Sequence, residues 1–196
     1  MLEWDEFQRY AKEIELLSTS IDDGWHFVVE KDKQGYLEKR VVFRDPQLHK
    51  EVRHFVVEKD KQGYLEKRVV FRDSQLHKEV IKGLYHIVYS YSYRVPVLYF
   101  NMWKTDGSLL ALQQVWAKSA TEPPDWWSTI TQQEHPILRT PFFQLHPCKT
   151  SEFMKQLRTP RGHRGNYLLT WLSTVAPMVA LQVPSEYAKV AFTQSE

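Results

Sequence analysis

Trp4, Phe7, Ala11, Ile14 and Leu17 recur at intervals of three and four residues. This spacing lines them along one stripe and predicts an amphipathic helix over residues 3–18. The period then changes. Phe27-Val-Val29 leads into the polar loop Lys31-Asp-Lys-Gln-Gly35 and on into Tyr36–Phe43, which reads as a β-hairpin. Leu84–Tyr93 alternates, with Tyr85, Ile87, Tyr89, Tyr91 and Tyr93 on one face and His86, Val88, Ser90 and Ser92 on the other. A turn is expected at Arg94-Val-Pro96, a strand over Val97–Trp103 and a turn at Thr105-Asp-Gly107. Residues 109–118 are expected to start extended and finish as a short helix. Glu122-Pro-Pro-Asp-Trp-Trp127 is expected to be irregular, because proline does not fit a helix interior. Phe142–Leu145 reads as a short extended run into His146-Pro-Cys148, with Thr150 or Ser151 capping a helix to about Leu157. A loop over Thr159–Gly165 precedes a last helix, capped by Asn166, with Leu168, Trp171, Leu172 and Val175 on its apolar stripe and its end near Pro177. A helix, a meander of strands and further helices imply an α+β fold, with helices packed on an antiparallel sheet.

The hairpin sequence occurs twice. Residues 26–52 and 54–80 differ only at Pro46 and Ser74. Solenoids are built from three or more diverged repeats, so two near-identical copies read as a tandem duplication. The fold has an obvious use for one hairpin. The first copy continues from the first helix and the second runs into the next strand, so either can fill the slot. The other is surplus, as an extra hairpin at an edge or a poorly packed excursion.

Composition narrows the function classes. With 196 residues, a single domain over 1–196 is expected. Hydrophobic residues make up 42% of the chain, and it carries seven tryptophans, enough apolar bulk for a core. The net charge of +2 lacks the basic excess of a nucleic-acid binder. No run approaches the ~20 apolar residues of a membrane span, and MLEWDEFQRY has no apolar run like that of a signal peptide. One cysteine, Cys148, excludes an internal disulfide and a four-cysteine zinc site, and suits a reducing compartment. The expectation is an intracellular, cytoplasmic domain with one thiol.

The chemistry gathers at that thiol. Cys148 follows a proline just before a predicted helix start, where unpaired N–H groups and the helix dipole favour a thiolate, and Lys149 adds positive charge. In an extended segment His146 projects to the same side as Cys148. The alternatives are a buried inert thiol, a loop-holding His146, or a cysteine hydrolase using Asp125, Glu134 or Glu152, none of which the spacing singles out. His135-Pro136 reads as a structural turn, the tyrosine-rich strand as a sheet face and Arg161-Gly-His-Arg164 as a solvated loop.

Several motifs together resemble a known family. Thr129-Ile-Thr-Gln-Gln-Glu-His-Pro136, Pro141-Phe-Phe143, Leu145-His-Pro-Cys-Lys-Thr150 and Glu152-Phe-Met154 are similar to the family of autophagy-related protein ten. Tyr89-Ser-Tyr-Ser-Tyr-Arg-Val-Pro-Val-Leu-Tyr-Phe100, Asp106-Gly107 and the last helix, with Asn166-Tyr167 and Trp171-Leu-Ser173, fit as well. The resemblance implies an E2-like (ubiquitin-conjugating-type) fold. It implies that Cys148 receives the ubiquitin-like autophagy protein twelve from the E1-like autophagy protein seven and passes it to a lysine of autophagy protein five. ATP is then used upstream, and no cofactor or metal is implied here. The resemblance also implies that Tyr93 faces the cysteine, where its hydroxyl orients the incoming lysine. His146 lines the site as a candidate for oxyanion binding or lysine orientation, and the backbone N–H groups of Cys148 and the following helix start are the other candidate oxyanion donors, since no His-Pro-Asn triplet stands upstream. The hairpin containing Phe27–Phe43, or its twin, is a candidate docking surface for autophagy protein five. The nearest competing assignments are the lipid-conjugating relative, autophagy-related protein three, and an inert partner-binding variant.

Overall fold

In the computed structural model the described residues are 2–29, 35–44, 80–116, 130–156 and 165–188. Helix α1 spans Trp4–Ser20. The predicted stripe is its buried face: Phe7, Ala11 and Ile14 are fully buried. The amide of Glu3 donates to the Glu6 carboxylate, closing the first turn.

Among the described residues six strands form one sheet in the order β1-β2-β3-β4-β6-β5. They are β1 Trp25–Val29, β2 Gly35–Arg44, β3 Val80–Ser90, β4 Val95–Lys104, β5 Ile130–Glu134 and β6 Pro141–Leu145. Every neighbouring pair is antiparallel. The fold is therefore α+β, though not a simple meander, because β6 rather than β5 lies against β4.

The first repeat copy supplies β2, which pairs Tyr36 with Val88 and Phe43 with Ile81. Residues 54–79 of the second copy lie outside the described residues, as do residues 122–127 and Arg161-Gly-His-Arg164. Gly35 stands where a Cβ would meet the Phe27 ring at 2.7 Å, so the loop glycine is required by packing at the hairpin mouth.

The sheet has two unlike faces. Phe7, Trp25, Leu37, Tyr85, Leu98 and Trp171, among others, form the main core under α1 and α4 (Tyr167–Val175), with a short helix α2 (Leu112–Trp116) after β4. Two tyrosines cross this core to reach backbone carbonyls: Tyr85 Oη donates to Val179 O at 2.8 Å and Tyr89 Oη to Leu2 O at 2.8 Å. The buried hydroxyls are thereby satisfied, and the tyrosine strand is a core face as expected. The opposite face carries a smaller cluster of Tyr36, Val88, Val97, Tyr99 and Phe142, against which Ile137 and Leu138 pack. Those two residues belong to the β5–β6 turn, which folds back over the sheet.

An ion pair is buried beneath the first hairpin. Lys39 Nζ lies 2.5 Å from Asp23 Oδ1, and Tyr187 Oη donates to Asp23 Oδ2 at 2.8 Å. Burial pulls the Lys39 ammonium below its usual value, and Asp23 opposes that shift. Burial also raises the Tyr187 phenol, keeping it a donor.

Three local expectations need correction. The β3 alternation reads on to Tyr93, but the chain leaves the strand after Ser90 and turns over residues 91–94. Arg94 closes that turn with φ 53°, and its amide donates to Ser90 O at 2.7 Å. Alternation alone could not show this, because serine and tyrosine fit either state. Val95 and Pro96 then lie inside β4. Pro96 is accepted there because β6 pairs with β4 only at Tyr99 and Phe100, leaving its side of the strand without a ladder. Strand β5 was not expected, since Thr131-Gln-Gln-Glu134 is polar throughout.

Candidate active site

Strand β6 ends at Leu145, and His146 turns the chain into a 3-10 helix over Pro147–Lys149. Helix α3, Thr150–Gln156, follows directly. The helical run therefore begins earlier than predicted, and its cap is His146 rather than Thr150 or Ser151. His146 Nδ1 accepts the backbone N–H of Cys148 at 3.2 Å. Proline at the first helical position suits this start, since it has no N–H to satisfy.

Two consequences follow for the chemistry. Cys148 is not in an extended segment with His146 on its own side; it lies on the first turn of a helix that His146 caps. The Cys148 amide, a candidate oxyanion donor by sequence, is already given to His146. Because Nδ1 accepts that amide, the neutral ring carries its proton on Nε2, which leaves Nε2–H as the ring's donor.

The Cys148 thiol is exposed. Tyr93 sits in the β3–β4 turn, 45% exposed, with its ring edge-on to His146 at 5.9 Å between centroids. The structure thus brings Tyr93 and His146 together beside the exposed cysteine, on two adjacent segments. Lys149 pairs with Glu152 at 3.8 Å. Glu134 pairs with Arg139 at 3.3 Å. Among the described residues neither carboxylate is hydrogen-bonded to His146, as a hydrolase triad would require, and Asp125 lies outside the described residues.

A second polar group, built around the His135 of the expected His135-Pro136 turn, lies on the far face of the sheet. His135 and His86 are fully buried, with His135 Nε2 and His86 Nδ1 3.1 Å apart. His86 Nε2 is 3.1 Å from Glu38 Oε2. Burial, and the neighbouring His86, lower the His135 pKa to about 3. For Glu38, burial alone would raise the carboxyl; the His86 hydrogen bond and the Arg40 charge outweigh it and hold the group below its usual value. A single sequence gives no sign of this group, because its members come from β2, β3 and the β5–β6 turn. Among the described residues no cluster of His, Cys, Asp and Glu is arranged to hold a metal ion. Among them, too, no helix is long and apolar enough to cross a membrane.

An antiparallel sheet with α1 and α4 on its main-core face, and an exposed cysteine at the start of the helical run that follows β6, is an α+β layout. The family described as autophagocytosis-associated protein, active-site domain, matches residues 6–186, and the chain belongs to it. The chain is 47% identical over 127 residues to the human ubiquitin-like-conjugating enzyme ATG10, covering 60% of this chain and 56% of that protein. It is 38% identical over 117 residues to the Arabidopsis thaliana enzyme of the same name, covering 52% of this chain and 50% of that one. The chain thus spans about half the length of the curated relatives it matches. A crystal structure of the autophagic E2 Atg10 superposes with a TM-score of 0.49 at 14% identity, over 92% of this chain and 97% of that one.

Proposed function

We propose that the protein is an E2-like conjugating enzyme. In this reading Cys148 carries the ubiquitin-like autophagy protein twelve as a thioester and passes it to a lysine of autophagy protein five. The observation that carries the reading is the exposed Cys148 at the start of a helix, in a chain of the active-site-domain family. The relatives named ubiquitin-like-conjugating enzymes support it.

The first step is a transthiolation. The Cys148 thiolate attacks the thioester carbonyl on the E1-like autophagy protein seven. A new C–S bond forms, the old one breaks and the E1 cysteine leaves as thiolate. In the second step the neutral lysine amine attacks the Cys148 thioester. A C–N bond forms, the C–S bond breaks, Cys148 leaves as thiolate and the nitrogen gives up a proton to solvent or a nearby base. Neither step changes an oxidation state, so no cofactor is required, and ATP is spent upstream. Oxyanion charge develops in both steps, and the Nε2–H of His146 is the donor assigned to it. The Tyr93 hydroxyl is assigned to the approaching lysine.

Docking of autophagy protein five on the β1 edge meets an obstacle. The Trp25 amide already donates to Ser18 Oγ at 2.7 Å, and the Phe27 amide to Glu15 Oε1 at 2.9 Å. These side chains of α1 occupy groups that backbone pairing would need.

The test is a reconstituted transfer. With autophagy proteins seven, twelve and five and ATP, the chain should yield a reduction-resistant twelve–five conjugate, and Cys148→Ala should yield none. Conjugate formed equally by Cys148→Ala would refute the reading.

A further inference from the structure

His135 takes no part in the chemistry above, yet both of its ring nitrogens are engaged. Nδ1 accepts the backbone N–H groups of Ile137 and Leu138 at 3.3 and 3.1 Å. An accepting nitrogen carries no proton, so the ring proton sits on Nε2 and is donated to His86 Nδ1, 3.1 Å away. That fixes His86 in turn: its proton is on Nε2 and is donated to Glu38 Oε2 at 3.1 Å. The proton order is assigned from the network, and each link requires the one before it. The chain runs from the β5–β6 turn to β3 and then to β2.

This turn lies in the hairpin whose second strand delivers the nucleophile. From Pro141, β6 runs to Leu145 and then into His146-Pro147-Cys148. Among the described residues its backbone ladder with β4 is short, at Tyr99 and Phe100, supplemented by side-chain bonds from Asn101 Nδ2 to Pro141 O at 2.9 Å and from Gln144 Nε2 to Tyr99 Oη at 3.0 Å. A ladder of two residue pairs leaves the direction of the strand to be set also by what holds its near end. The tip is the second fixed point. The His135 amide donates to Thr140 O at 2.8 Å, the Arg139 amide to His135 O at 2.9 Å, and Ile137 and Leu138 pack on the sheet face. The apolar contacts hold the tip down without fixing its direction, whereas the hydrogen bonds are directional.

We propose that His135 is a positioning residue for Cys148, acting through His86 and Glu38 to fasten the β5–β6 hairpin across the sheet and so set where the thiol lies relative to Tyr93 and His146. The consequence for catalysis rests on the reading of Cys148 as an acyl carrier. A displacement of about 1 Å at a reacting group costs up to about a hundredfold in rate.

The informative variant is His135→Asn. Its short amide oxygen still accepts the turn amides but does not reach His86, so it separates the local turn from the cross-sheet link. Three readings are taken on the full chain. A trifluoromethyl label on Cys148 should show a shifted 19F resonance in His135→Asn, before any charging. Alkylation by iodoacetamide, which needs only an exposed thiol, should stay within about twofold of wild type. Discharge of the preformed thioester to free lysine should fall about tenfold. Glu38→Ala, which removes the acceptor for His86, should shift the same 19F resonance and slow discharge in the same direction as His135→Asn. An unchanged 19F resonance with wild-type discharge would overturn the proposal. So would alkylation and discharge changing together with a lost melting transition, which would make His135 merely structural. A wild-type chain that never charges, with the 19F shift present, would instead remove the acyl-carrier reading and leave only the structural coupling.

Discussion

Acidification should destabilise the protein through His135, by an amount the structure sets. Its pKa falls from 6.5 to about 3 on folding. The folded state therefore binds fewer protons than the unfolded chain between those two values. The stability held above pH 6.5 is lost progressively as pH falls toward 3. From pH 7 to pH 5 the unfolded chain takes up its proton and the folded one does not, which is about 2 kcal/mol. His135 is fully buried, so solvent screening does not reduce this much. Glu38, lying below its ordinary 4.5, has the opposite habit. Its contribution is present above 4.5 and is lost only as pH falls through its lower folded value, so it adds little between pH 7 and 5. His86 and Arg40 are the other titratable groups on the network and are common to the reference variant. The assay is urea unfolding at both pH values for wild type and His135→Asn. With a slope near 2 kcal/mol/M, the wild-type midpoint should drop by about 1 M more than the variant's. Parallel losses in the two proteins would refute a neutral, buried His135.

Other substitutions test the frame around the site. Asp23→Ala leaves the buried Lys39 unpaired and should cost about 3–5 kcal/mol in chemical unfolding, with Asp23→Ala/Lys39→Met recovering much of it; a double variant no more stable than the single one would contradict the buried pair. Asn166→Ala removes the α4 cap, where Asn166 Oδ1 accepts the Leu169 amide at 2.9 Å, together with the bond to Tyr10 O. It should cost about 1–2 kcal/mol, and a loss under about 0.3 kcal/mol would show that the cap is not needed. Tyr85→Phe strands the Val179 carbonyl in the core and should cost about 1–3 kcal/mol by thermal melting, with a neutral result arguing against that bond.

Much of the fold was legible because its signals are local. The α1 stripe, the Asn166 cap and the glycine turn at residue 107 each act over a few residues. Gly107 has φ +87°, the conformation glycine favours, as the turn signal implied. What was not legible is what depends on distant partners. Strand β5 has too few apolar residues to announce itself, and it is a strand because β6 pairs with it. Cys148 was found from its setting, but the cap on its own amide was not, since histidine is an unusual cap and the signal is a single bond. The network of Glu38, His86 and His135 could not be read at all, because nothing in the order of residues brings three separated segments to one point. The repeat made either copy equally suited to the sheet, and residues 35–44 of the first form β2 here.

The proposed chemistry depends on a single sulfur, that of Cys148. The most direct measurement is a non-reducing gel of the chain incubated with autophagy protein seven, ATP and autophagy protein twelve. The expected result is an adduct that a thiol reductant removes, that Cys148→Ser converts to a reductant-resistant ester and that Cys148→Ala abolishes. No adduct on the wild-type chain, or an adduct that survives Cys148→Ala, would contradict it.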